Sequence, residues 1–199
     1  MTSGCAHKDP KREQQMTVKT FENHTPVIDP TAWVDDSAYV SGDTVLAEQV
    51  SIWPTAVVRG DVNYIRIGRK TNVQDGAVLH VAHAGEYTRP EGYPLIIGEE
   101  VTVGHRAVLH ACTIGNRCLI GMGAIVLDGA EVGDDVIIGA GSVVPPKKRL
   151  ESGYLYVGSP VKQARALTER ELTFLRYSAE NYWKLTERTR QSESTSTPE

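Results

Sequence analysis

Four histidines lie close together in the middle of the sequence and are the residues best suited to chemistry. They are His80, His83, His105 and His110. A neutral imidazole is a common zinc ligand, and three protein ligands with an open fourth position are typical of catalytic zinc. A single histidine is more often a surface residue or a structural hydrogen-bonding partner than a ligand. The question is therefore whether the fold brings three of them to one ion.

The elements that must position these histidines are predicted by a six-residue repeat of aliphatic residues. Between residues 114 and 144 an isoleucine or a valine occupies every sixth position, and a glycine directly follows four of them. The same step occurs upstream in blocks that start at Val34, Ile67 and Ile97. An α-helix has a period of about 3.6 residues and a β-strand a period of 2, so neither explains the repeat. The pattern predicts a parallel β-helix whose triangular coils contain about 18 residues each.

Interruptions of the repeat decide which histidines can meet. Residues 83–94 are rich in glycine, proline and charge, and we interpret them as a loop extruded from the coil. Without this loop, His80 and His110 occupy the same register on adjacent coils, about 4.8 Å apart along the stack. His105 lies on the preceding edge of its coil. We therefore expect His105 to reach the metal of a neighbouring subunit in a ring, most simply a trimer.

Three segments around these histidines resemble the γ-class carbonic anhydrases: RGDVNYIRIG (59–68), NVQDGAVLH (72–80) and VGHRAVLH (103–110). SGYLYVGSPVKQ (152–163) and RYSAENY (176–182) are similar to the YrdA-type bacterial branch of that family. The resemblance covers roughly residues 20–188. It implies left-handed coils, a homotrimer with metal sites at its subunit interfaces, and Zn²⁺ as cofactor, with Fe²⁺ or Co²⁺ as alternatives. The implied reaction is the reversible hydration of CO2 to bicarbonate by zinc-bound hydroxide.

The resemblance also implies which residues hold the metal and join the subunits. His80 and His110 correspond to the two zinc ligands of one subunit, and His105 corresponds to the ligand from its neighbour. Arg59 and Asp75 correspond to a salt bridge across the subunit interface. An arginine–carboxylate pair suits such a junction because its hydrogen bonds have a fixed, bidentate geometry. A purely structural role for that pair remains an equal alternative.

Further matched positions are implied to take part in catalysis. They are Asp61 in the interface network, Asn72, Gln74 beside the zinc-bound water, and Tyr182 on the C-terminal helix. The chain departs from the family where two glutamates assist proton transfer, because it has Val62 and His83 at those places. His83 could carry protons, since an unperturbed imidazole titrates near pH 6.5. An ordinary loop residue is the equally supported alternative for His83.

Two other functions remain open at this point. Many hexapeptide β-helices are acyltransferases in which one histidine serves as a base for acetyl-CoA chemistry, and a non-catalytic metal-binding trimer is the other alternative. An acyltransferase predicts one catalytic histidine and an extended acceptor loop, whereas three histidines in metal registers favour the carbonic anhydrase.

Composition and the chain ends complete the prediction. A net charge of -4 argues against nucleic acid as a partner, and no apolar run is long enough for a membrane helix. Three cysteines without CxxC spacing predict a reducing, cytoplasmic location. We predict a mainly β protein with a β-helix over 16–165, a helix over 166–188 packed on it, and disordered tails at 1–15 and 189–199. Met16 is an alternative start.

Overall fold

The computed structural model describes residues 17–195, so the predicted tail at 1–15 and residues 196–199 lie outside the described part. The described chain forms short β-strands followed by one long helix. In chain order the elements are β1 (Val18–Lys19), β2 (Val27–Ile28), β3 (Trp33–Val34), β4 (Tyr39–Leu46), β5 (Ser51–Ile52), β6 (Val57–Ile67), β7 (Asn72–Val73), β8 (Val78–His80), β9 (Leu95–Ile97), β10 (Thr102–Val103), β11 (Val108–His110), β12 (Thr113–Ile114), β13 (Leu119–Ile120), β14 (Ile125–Val126), β15 (Glu131–Val132), β16 (Ile137–Ile138), β17 (Val143–Val144), β18 (Arg149–Leu150), β19 (Tyr154–Val157), β20 (Lys162–Ala166) and α1 (Glu169–Thr195).

These strands build three faces of a β-helix. The first face stacks β1, the start of β4, the start of β6, β8, β11, β14 and β17; the second stacks β2, the end of β4, the end of β6, β9, β12, β15 and β18. The third face stacks β3, β5, β7, β10, β13, β16 and β19 in parallel, and β20 closes it antiparallel to β19. Consecutive strands therefore move from face to face, which confirms the predicted parallel β-helix.

The aliphatic repeat fills the interior of the coils. On the first face Val58, Leu79, Leu109 and Val126 lie above one another in register, and each is completely buried. Burial of apolar surface contributes about 25 cal/mol per Å², and a single coil cannot bury its own interior. The coils are thus held together by ladders of buried aliphatic residues, which occupy the same position on each successive coil. These ladders also fix the register of the polar residues that follow each strand.

Val58 and Ile67 are nine positions apart instead of six, because the chain carries an insertion between the first and second faces. The pairing of β6 with β4 passes from Gly60 directly to Ile65, so the four residues between them project from the coil. Gly42 lies beneath this point with a φ of 71°, and a Cβ there would lie 2.0 Å from the Gly60 carbonyl oxygen. The close approach lets the chain leave the coil at Asp61.

The segment predicted as a loop, residues 83–94, lies between β8 and β9. Ala82 and Tyr93 form an antiparallel bridge at its base. The Asn63 side chain on the insertion donates hydrogen bonds to the carbonyls of Ala82 and Glu91, at 3.2 Å and 2.9 Å. The loop is therefore tied to the insertion that begins at Asp61.

Helix α1 is longer than the sequence predicts. It begins at a capping box, in which the Thr168 hydroxyl accepts from the Glu171 N–H and the Glu171 carboxylate accepts from the Thr168 N–H. It packs against β5, β7 and β10 of the third face. The predicted end at 188 is wrong, because the helix continues to Thr195 and the Arg190 guanidinium donates to the carbonyls of Thr31 and Ala32 in the first coils.

The boundary between the β-helix and α1 also differs from the prediction. Strand β20 extends to Ala166, where the helix was predicted to begin, and α1 begins at Glu169. Within residues 17–195, α1 is too polar to cross a bilayer and no other helix occurs.

Candidate metal centre

Two of the predicted ligands lie side by side on the first face. His80 ends β8 and His110 ends β11, and the two residues are paired in register. Their ring centroids are 5.2 Å apart, and Nδ1 of His80 lies 3.2 Å from Nε2 of His110. The two histidines lie on neighbouring rungs because residues 83–94 leave the coil as a loop.

A carboxylate holds the far nitrogen of each ring. Asp61 Oδ1 lies 2.9 Å from His80 Nε2, and Asp128 Oδ1 lies 2.5 Å from His110 Nδ1. When each ring donates an N–H to its carboxylate, the lone pairs of the two remaining nitrogens face each other. Sequence reasoning missed Asp128. Its signal is the 18-residue separation from His110, which is one coil of the β-helix.

The electrostatic surroundings favour a neutral His80 beside an ionised Asp61. Burial lowers the pKa of His80, and the charge of the nearby Arg59 guanidinium also lowers it, whereas the hydrogen bond that His80 donates to Asp61 raises it. Burial alone would raise the pKa of Asp61, but the hydrogen bonds from His80 and Arg59 hold that pKa below its usual range. A neutral imidazole is the form that binds a metal.

The other predicted site residues gather at a different corner, next to the third face. His105 Nδ1 lies 2.9 Å from Asp75 Oδ2, and both side chains are nearly half exposed. Gln74 Nε2 donates to the side-chain oxygen Oδ1 of Asn72 at 3.1 Å, and Gln74 also bonds to the Tyr182 hydroxyl. Burial and the charge of Asp75 raise the pKa of Tyr182. The phenol therefore remains protonated and keeps an O–H for hydrogen bonding.

Apart from His83, the predicted site residues divide into two groups, and Asp128 joins the first of them. The His80 half-site is Arg59, Asp61, His80, His110 and Asp128; the His105 half-site is Asn72, Gln74, Asp75, His105 and Tyr182. In residues 17–195 no three His, Cys, Asp or Glu side chains are arranged to hold a metal ion. A three-ligand centre of the predicted kind would therefore need a ligand from another chain. Within the chain, Arg59 pairs with Asp61 and not with Asp75.

The His80 half-site fits two ligands of a zinc ion. Two nitrogens bound tetrahedrally at 2.0–2.1 Å from zinc are about 3.3 Å apart, and the facing nitrogens of His80 and His110 are 3.2 Å apart. Ligand imidazoles almost always donate their other N–H to a carboxylate, a carbonyl or a water. Imidazole donors suit zinc and iron alike, so this pair does not by itself select among the first-row metals.

His83 lies apart from this cluster. It is exposed at the start of the 83–94 loop, where its backbone carbonyl accepts a hydrogen bond from the Thr88 hydroxyl at 2.7 Å. Cys112 and Cys118 are free thiols buried inside the β-helix, and burial raises the pKa of Cys118 to about 12. Neither thiol is therefore a ready ligand or nucleophile at neutral pH.

An aliphatic surface adjoins the His80 half-site on the outside of the first face. Its members alternate with the buried ladder and lie in register on successive coils; they are Val57, Val78, Val108, Ile125 and Val143, called here the outer aliphatic row. Val78 is 38% exposed. Val57, Val108, Ile125 and Val143 are half-buried.

Comparisons with known proteins agree with the fold. Residues 111–146 match the family model of the bacterial transferase hexapeptide (six repeats). Protein YrdA of Escherichia coli K12 is 59% identical over 169 residues, which are 84% of this chain and 91% of YrdA. The mitochondrial gamma carbonic anhydrase 1 of Arabidopsis thaliana is 41% identical over 177 residues, 87% of this chain and 64% of the plant protein.

A solved structure extends the comparison to the whole coil. The hexapeptide transferase family protein from Anaplasma phagocytophilum is 38% identical with a TM-score of 0.79, and the match covers 86% of this chain and 96% of that one.

Proposed function

Because the chain belongs to the hexapeptide-repeat family with its left-handed β-helix, in the YrdA branch of γ-carbonic-anhydrase-like proteins, we propose that it is a zinc enzyme that reversibly hydrates CO2 to bicarbonate. The observation that carries the proposal is the pair of facing nitrogens of His80 and His110, each on a ring held from behind by a carboxylate. An acyltransferase base needs no second imidazole at this distance.

The complete centre combines two subunits of a homotrimer. His80 and His110 supply two ligands, and His105 of the adjacent subunit supplies the third. The outer aliphatic row supports this assembly, since it lies on the same face as the His80 half-site. Arg59 and Asp75 are 43% and 47% exposed in their side chains, so each has room for the predicted salt bridge between subunits.

The chain's own residues divide the remaining work. A zinc ion held by His80, His110 and the neighbouring His105 would lower the pKa of a water ligand to about 7 and would so supply hydroxide at neutral pH. Asp61 and Asp128 keep the ring nitrogens of His80 and His110 oriented. Gln74 orients CO2 or bicarbonate through a neutral amide that does not compete for the metal, and the Tyr182 hydroxyl fixes that amide.

Proton export completes each turnover, and His83 is our candidate for it. Its exposed position on the loop gives it contact with solvent. An imidazole can both accept and donate a proton, which suits a group that carries protons from the metal centre to solvent.

Acyl transfer is the second candidate function, because the matching family model and the Anaplasma protein carry transferase names. It would use His80 or His110 as a base with acetyl-CoA. Saturable binding of acetyl-CoA to the purified protein would favour it.

We also propose a cytoplasmic location, because buried free thiols are typical of reducing compartments.

The proposal is tested by metal content, oligomer mass and CO2 hydration of the purified protein. We expect a trimer with about one zinc per chain, as the sharing of ligands between neighbours requires, and hydration faster than buffer. His110→Asn should lose both metal and activity. The matched control His83→Gln should keep its metal and lose rate only at low buffer concentration. A zinc-loaded trimer no faster than buffer would leave a non-catalytic metal-binding protein instead.

A further inference from the structure

The two carboxylates behind the histidines differ in their electrostatic surroundings. Asp128 Oδ1 contacts His110 Nδ1, and within residues 17–195 no lysine or arginine forms an ion pair with Asp128. Asp61 Oδ1 contacts His80 Nε2 and also accepts the Val62 N–H at 2.9 Å, while Asp61 Oδ2 is paired with Arg59. The negative charge of Asp61 is therefore shared, whereas that of Asp128 acts on one imidazole.

This difference matters for the strength of the ligands. A carboxylate that accepts an imidazole N–H polarises the ring and makes its other nitrogen a stronger donor to a metal. A guanidinium on the same carboxylate opposes that effect by neutralising the charge. His110 should therefore be the stronger ligand of the pair, although both rings have the same hydrogen-bonding arrangement.

The backbone around Asp128 also holds it in place. The Asp128 carbonyl accepts from the Lys147 N–H at 2.9 Å, and the Gly129 N–H donates to the Ala111 carbonyl at 2.7 Å. Ala111 in turn donates to the His80 carbonyl at 2.8 Å. Asp128 is thus fixed to the coils below and above it, at the corner that carries His80.

We propose that Asp128 is the positioning residue that sets the zinc affinity of the centre through His110, whereas Asp61 acts mainly with Arg59 at the subunit junction. This inference rests on the proposed function, because it assigns a division of labour within the same metal centre. It predicts that loss of the two carboxylates has unequal consequences for metal binding, in spite of their similar geometry.

The test compares zinc dissociation constants of intact trimers, measured by competition with a chromophoric chelator. Asp128→Asn keeps the shape and an acceptor oxygen but removes the charge, and we expect it to weaken zinc binding by about 10–100-fold. Asp61→Asn should weaken it less. Glu131→Gln removes one charge from the same coil without touching a histidine, since Glu131 pairs with Arg149, and should bind zinc like the wild type.

Two further readouts separate a positioning role from a structural one. The absorption spectrum of Co²⁺-loaded protein should change in Asp128→Asn and remain unchanged in Glu131→Gln. Asp128→Glu, which keeps the charge, should have most of the wild-type affinity. If Asp128→Asn does not fold, the zinc affinity of Asp128→Glu is compared with that of Asp61→Asn instead. Equal affinity losses in Asp128→Asn and Asp128→Glu would indicate packing and overturn the proposal.

The outcomes also distinguish this inference from the proposed function. Wild-type affinity in Asp128→Asn, or an equal or greater loss in Asp61→Asn, overturns the inference while the enzyme proposal survives. A wild-type protein that takes up no zinc or Co²⁺ overturns both.

Discussion

The Nδ1 atom of His105 lies 2.9 Å from Oδ2 of Asp75, at a corner of the β-helix different from the one that holds His80 and His110. The remaining nitrogen of His105, Nε2, is therefore the one available to a metal. A carboxylate holds the His105 ring as it holds those of His80 and His110, which is the arrangement that the proposed third ligand needs.

Complementation between two inactive variants tests whether the ligands come from different subunits. His105→Ala and His110→Ala should each form trimers that bind no zinc. In trimers refolded from an equal mixture, a junction is complete when a subunit with an intact His105 lies beside a subunit with an intact His80–His110 pair. Each condition is met at half of the junctions, so about a quarter of the sites should recover zinc. Zinc content by mass spectrometry measures the recovery. A mixture that stays empty would place His105 outside the centre.

Charge on the outer aliphatic row should separate the subunits. Val78→Lys puts an ammonium group at a position that an apolar interface would bury, and such a charge is costly to desolvate. We expect light scattering to detect monomers that have lost zinc but keep their β-sheet circular dichroism. Ile96→Lys is the matched control, because Ile96 is 36% exposed on the second face and should leave the trimer intact. Trimeric Val78→Lys would contradict this interface.

Substitution of Gly42 should destabilise the coil strongly. Alanine at its φ of 71° costs about 1–2 kcal/mol, and the collision with the Gly60 carbonyl adds about 1–3 kcal/mol of strain. Gly141→Ala is the control, since Gly141 has a φ of 66° but no atom within 4 Å of the added Cβ. Urea denaturation should show the larger loss for Gly42→Ala. Equal losses would mean that the coils shift to accept the methyl group.

The stability of the folded chain should fall at acidic pH because of a carboxylate at the start of α1. Hydrogen bonds from Arg165, and then those from Thr168, lower the pKa of Glu171 from 4.5 to about 2. Because the folded pKa lies below the unfolded one, this contribution is complete above pH 4.5 and is lost as the pH falls toward 2. Glu171→Gln should flatten the pH dependence of the unfolding midpoint in this window. Glu169→Gln, also in the first helical turn, should not reproduce that flattening.

The sequence by itself determined the β-helix, because a period of six fits neither a helix nor an ordinary strand. It also determined that His80 and His110 share a register once residues 83–94 are set aside. Both conclusions follow from counting residues along the sequence, because the repeat period and the loop length determine which residues lie in register on adjacent coils.

Only the tertiary structure decided how the polar residues are partnered. Asp128 belongs to the centre because it lies one coil beyond His110, and Arg59 pairs with Asp61 inside the chain. The helix runs on to Thr195 because Arg190 reaches the first coils, a contact between residues 158 positions apart. Such partners depend on side-chain direction and on long-range docking, and a local periodicity contains neither.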